Sequence, residues 1–75
     1  MERTQAFIHT DYIQLDQLLK LEGVIMTGGQ IKPLLEDGLI FVNGQPCTEK
    51  RKKLYPKDVV MIQDVGEWAI RPEEA

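Results

Sequence analysis

The chain has one cysteine, Cys47, one histidine, His9, and one tryptophan, Trp68. A single thiol excludes an internal disulfide and any multi-cysteine metal centre, and it fits a reducing compartment. Cys47 is expected as a small apolar filler beside a strand. His9 has no partner at metal-ligand or catalytic spacing, so a structural or solvent-facing role is expected. No apolar run is long enough to cross a bilayer, and Met1-Glu2-Arg3-Thr4-Gln5-Ala6 does not open a signal peptide, so a cytoplasmic location is expected. Nucleophile elbow, zinc-protease helix, phosphate loop and Cys–His pair are all missing. Glu36-Asp37 and Glu73-Glu74 fall at a helix end and a tail, where carboxylates solvate. No catalysis, cofactor or metal is expected.

What the chain does have is a concentrated positive charge. Lys50-Arg51-Lys52-Lys53 holds four of the nine basic residues of a protein whose net charge is -3. Like charges stacked in sequence repel one another and destabilise the loop that carries them, so the run implies an anionic partner. It follows Phe41-Val42-Asn43-Gly44, a strand end and hairpin turn, and precedes Tyr55-Pro56-Lys57-Asp58, a second turn. It is therefore a positioned loop and not a disordered tail.

With 75 residues the chain makes one domain with a thin core. Residues 6–13 suggest a short extended lead-in, and the polar termini, 1–5 and 72–75, are expected to fray. From Leu15 to Glu22, Leu15, Leu18 and Leu19 recur at helical spacing, with Gly23 as the stop. Asp16 and Lys20 on the polar face stand at i, i+4, the spacing of a weak ion pair. Thr27 and Gln30 have capping-box spacing before Ile31, Leu34 and Leu35, and this second helix ends at Asp37-Gly38. Pro33 sits inside it and predicts a kink or a displaced start.

The second half changes period. Leu39-Ile40-Phe41-Val42 reads as a strand, Asn43-Gly44 as a two-residue hairpin turn, and Gln45-Pro46-Cys47-Thr48 as a short edge strand. Val59-Val60-Met61-Ile62 and Glu67-Trp68-Ala69-Ile70 complete a small sheet. The expected class is α+β, with two short N-terminal helices followed by a mostly antiparallel sheet. Stacking on RNA bases and packing are both open to Phe41 and Tyr55; each flanks a strand, and packing is the expected role.

Gly28-Gly29 departs from local consistency, since glycine in a helix costs about 1 kcal/mol relative to alanine. Two explanations are open. Helix one approaches too closely for side chains, or the bare backbone admits a phosphate to the helix end.

Leu15-Asp16-x-x-Leu19, then Thr27-Gly28-Gly29-Gln30-x-Lys32, Gly38-Leu39-Ile40-Phe41-Val42-Asn43-Gly44 and Lys57-Asp58-Val59-Val60 together resemble the alpha-L, or S4-type, RNA-binding domain. The resemblance covers roughly residues 13–63, and the short length, the Leu19-Lys20-Leu21-Glu22-Gly23 segment and the Gly-Gly resemble the stand-alone YaaA-like or YbcJ-like branch in particular. It implies a non-catalytic, ribosome- or tRNA-associated protein, monomeric, that binds structured rRNA or tRNA. Carried over by position, the RNA surface is Lys20, Thr27, Gly28, Gly29, Gln30, Lys32, Lys50, Arg51, Lys52 and Lys53. Many family members have Ser-Arg where this chain has Thr27-Gly28, so one family cation is missing. Pro33 unsettles the register of Lys32, which has Glu36 as an alternative partner. A protein-interaction adaptor docking its basic loop on an acidic partner is the competing expectation.

Overall fold

The structure is a computed structural model that describes residues 3–73. Strand β1, Arg3–Ile8, comes first. The short strand β2, Ile13–Gln14, leads directly into helix α1, Leu15–Leu21. A single 3-10 turn, Gly28–Gln30, opens helix α2, Ile31–Glu36. The remainder is extended: β3 Ile40–Val42, β4 Gln45–Pro46, β5 Lys53–Leu54, β6 Val59–Ile62 and β7 Gly66–Pro72.

Five of these strands form one sheet in the order β1-β7-β6-β3-β4, and β2 pairs with β5 in a separate two-stranded ribbon. Pairings within the sheet are antiparallel except that of β1 with β7, which is parallel, so the sheet is mixed. The α+β class with two short helices stands, but the expected order is corrected, because a strand precedes both helices. Arg3 pairs with Glu67, 64 positions away, and a pairing that distant leaves no local pattern. Residues 3–5 and 72–73, expected to fray, are held by the same strand pairing and by the Glu73 N–H donating to the Ile8 carbonyl. Met1, Glu2, Glu74 and Ala75 lie outside the described residues.

Strand alternation sorts the sheet into two faces. Ala6, Ile8, Ile40, Val42, Val60, Ile62, Trp68 and Ile70 point inward, where Leu15, Leu18, Leu19, Ile25 and Ile31 cover them from the helical side. Leu54 of β5 and Cys47 complete this core, and Cys47 is a buried free thiol. Each such aliphatic side chain contributes about 1.5–3 kcal/mol by leaving water.

The local signals explain most of the chain's path. Gly23, at φ 76°, and Gly38, at φ 69°, end the two helices in the left-handed region that glycine tolerates best. Asn43 and Gly44 both have positive φ, as a two-residue hairpin turn requires. Asn43 also ties that hairpin to the next strand: its amide donates to Asp58 at 3.0 Å and its side-chain oxygen accepts from the Val59 N–H at 2.9 Å. The α-helical part of the second helix starts at Ile31, which places Pro33 in its first turn. There the missing N–H would have had no intrahelical partner, so the displaced start removes the penalty.

If β1 is part of the core, Ile8→Ala lowers stability by about 2–4 kcal/mol in urea titration. A frayed terminus would leave the midpoint unchanged.

Candidate nucleic-acid interface

The basic loop is built into the fold through its backbone. Helix α1 has no side-chain cap at Gln14. Instead the Leu15 N–H donates to the Lys52 carbonyl at 2.9 Å and the Asp16 N–H to the Lys50 carbonyl at 3.2 Å. Two of the unpaired donors of a helix start are thus satisfied by the loop. Lys50 and Lys52 have their carbonyls turned to the helix, and the side chains of Lys50 to Lys53 are left in solvent.

Asp16 does not form the expected ion pair with Lys20. It is buried, and its side-chain oxygen accepts from the Gln17 N–H at 2.9 Å within the first helical turn. Lys20, one turn further on, is exposed and turned toward the second helix. A Cβ placed on Gly28 would lie 3.7 Å from the Lys20 ammonium and 3.5 Å from that of Lys50. Two cations from different elements therefore flank one glycine, at most about 7 Å apart, where they repel by roughly 0.6 kcal/mol even in water.

This geometry bears on both explanations of Gly28-Gly29. No atom of helix α1 other than the Lys20 ammonium lies among the nearest neighbours of a Gly28 Cβ, and nothing lies within 4 Å of one on Gly29. Neither glycine is in the left-handed region. Close helix packing is therefore not what keeps side chains away. The loop entering this turn is held by Gln30, whose side-chain oxygen accepts from the N–H groups of Met26 and Thr27. Thr27 and Gly29 are exposed beside it, as is Lys32 in the first turn of α2, which makes no salt bridge with Glu36.

The other cations of the run point elsewhere. Lys53 stands with its ammonium 5.0 Å from the centre of the Tyr12 ring, and Lys52 and Lys53 line a groove with Tyr55, Thr48 and Glu49. Arg51, at the tip, is exposed. The ten sequence-nominated residues thus divide. Lys20, Gly28 and Lys50 come together, with Thr27, Gly29 and Gln30 adjacent in the chain, whereas Lys52 and Lys53 serve the opposite end of the loop. Tyr12 was not nominated, and Tyr55 was expected to pack. The ribbon that brings them together joins distant two-residue strands, too short for any sequence pattern to mark. Among the described residues, no group of three His, Cys, Asp or Glu side chains is placed to hold a metal.

The notch thus lies on a layer of two short helices, set on a small sheet with an Asn-Gly hairpin between β3 and β4. The family model of the S4 domain matches residues 7–70, and the chain belongs to that family. It is also 40% identical over 63 residues to the probable ribosome maturation protein RlbA of Bacillus subtilis (strain 168), an alignment covering 84% of this chain and 89% of that protein. The match reaches beyond residues 13–63 on both sides and takes in parts of β1 and β7.

Because nothing at Gly28 or Gly29 requires the absence of a Cβ for packing, Gly28→Ala and Gly29→Ala leave the stability unchanged or raise it by up to about 1 kcal/mol. Gly23→Ala, at φ 76°, is destabilising instead. Calorimetry on the three variants separates these cases, and cooperative destabilisation by Gly28→Ala would restore the packing explanation.

Proposed function

We propose that this protein binds structured ribosomal RNA in the cytoplasm, without chemistry of its own, and that the notch between Lys20 and Lys50 receives a backbone phosphate. The observation that carries this reading is the convergence of those two ammonium groups on Gly28. Their mutual repulsion is relieved when an anion enters, and the missing Cβ lets that anion approach the backbone. Arg51 at the exposed loop tip supplies a planar fork suited to a second phosphate or a guanine edge, and the lysines act as mobile point charges. Membership of the S4 family and likeness to a probable ribosome maturation protein support ribosomal RNA over transfer RNA.

A notch plus a short loop reads backbone spacing more than sequence, which suits folded RNA. Binding of this kind is dominated by counterion release, so affinity falls with salt by about 0.7–0.9 log units per log unit for each phosphate neutralised. At about four contacts the non-specific affinity is micromolar or weaker.

Fluorescence anisotropy of labelled ribosomal RNA hairpins, titrated at several salt concentrations, tests this. The Lys20→Ala, Lys50→Ala double variant lowers the slope by about 0.7–0.9, as expected for one shared phosphate. Changing Lys50, Arg51, Lys52 and Lys53 together to Ala removes most of the affinity while the fold persists. Arg71→Ala, on the far face of the sheet, leaves both quantities unaltered. Parent-like binding by the quadruple variant would show the interface to lie elsewhere.

A further inference from the structure

The ribbon formed by β2 and β5 has a second consequence for ligand binding. Ile13 pairs with Leu54, and Leu54 is fully buried. Alternation therefore sends the neighbouring side chains to the other side. There the Tyr12 and Tyr55 rings meet at 5.8 Å between centroids, tilted by 48°. Cross-strand packing of this kind stabilises a ribbon, which accounts for the rings touching. It does not account for their exposure: Tyr12 is 37% exposed and Tyr55 47%. Recesses border the pair on both sides. One is lined by Thr10, Gln14 and Gln17 beside Tyr12, the other by Thr48, Glu49 and Lys52 beside Tyr55.

We propose that the Tyr12–Tyr55 pair, with Lys53 over the Tyr12 ring, is a stacking platform for an unpaired base of the bound RNA. The inference rests on the RNA-binding reading above and adds a base-recognition subsite to its phosphate notch. Lys50 and Lys53 mark the two ends of one loop and lie at most about 11 Å apart along the backbone. A phosphate held at Lys50 and a base stacked at Tyr55 are therefore within reach of one short RNA segment. Aromatic faces take any base, because every base has a π surface. The Glu49 carboxylate and Thr48 hydroxyl at the edge of the groove supply acceptors for exocyclic amino groups, which favours bases that carry one over uracil. Unpaired bases in bulges and loops are the part of a folded RNA that can be splayed onto such a surface. Lys52 and Lys53 give the platform the charge that the strand entering it requires.

Two RNAs test the platform: a short hairpin with an unpaired bulge, and the same hairpin fully paired. Anisotropy titrations compare the parent chain with Tyr55→Leu, Tyr12→Leu and Tyr55→Phe, with circular dichroism to confirm folding. Tyr55→Leu weakens binding of the bulged hairpin by about 5- to 150-fold, the equivalent of roughly 1–3 kcal/mol for one stacked base. It leaves the paired hairpin and the salt slope unaffected, and Tyr55→Phe binds like the parent. Photo-crosslinking from a 5-bromo-pyrimidine in the bulge then falls on Tyr12 or Tyr55. Equal loss on both hairpins, or no loss on either, overturns the platform while leaving the phosphate notch intact. Crosslinks confined to other parts of the chain do the same. If the parent binds neither hairpin, the RNA reading itself is overturned, and the platform with it.

Discussion

Two backbone hydrogen bonds, from the first N–H groups of α1 to the carbonyls of Lys52 and Lys50, tie the basic loop to the helical layer. A helix start without a side-chain cap leaves donors that must find partners, and here the partner is the basic loop. The loop gains a fixed path despite the repulsion among its own charges. The helix gains a cap, and two of its N-terminal donors are thereby occupied. Lys20 and Lys50 can then meet at Gly28 only because both are tied to this one junction.

At the notch two ammonium groups stand close together with no carboxylate between them among the described residues. A protein of net charge -3 has no shortage of carboxylates that could neutralise Lys20 and Lys50, yet neither lysine has a salt bridge among the described residues. Asp16, one helical turn before Lys20, is buried and bonded within its own helix. Both cations thus stay clear of carboxylates among the described residues, while the glycines beside them keep the backbone open. Stability is supplied elsewhere, by the face of the sheet that the helices cover and by the Asn43–Asp58 clamp behind the hairpin. The segment proposed to bind RNA is consequently free of the residues the core depends on most.

Some of this was legible in the chain and some was not, and the division follows sequence distance. Helix α1, the Gly23 and Gly38 stops, the Asn43-Gly44 turn and strand β6 are encoded by neighbours within a few positions, and each appears where its pattern puts it. Strand β1 is different. Its residues become a strand by pairing with β7 from the other end of the chain, so residues 3–5 looked merely polar and residues 6–8 only like an extended lead-in. The same holds for the ribbon of β2 and β5, which carries the two tyrosines. For the candidate site, the residue types and their approximate neighbourhood could be named, but the basic run looked like one patch. Its side chains in fact serve two places, because successive residues of a turning backbone point in different directions.

By itself the sequence determined the class of fold, the family, and the fact that positive charge is concentrated beside a glycine-opened turn. Those properties reside in local periodicity, turn chemistry and residue type, which need no knowledge of distant contacts. Only the tertiary structure decided that Lys20 and Lys50 flank the same glycine, that Asp16 is withdrawn from Lys20, and that Tyr12 meets Tyr55 under Lys53. Each of those results depends on where a side chain from one element falls relative to another. That is set by long-range pairing and core packing, whose energy is shared among many residues and written in no single segment.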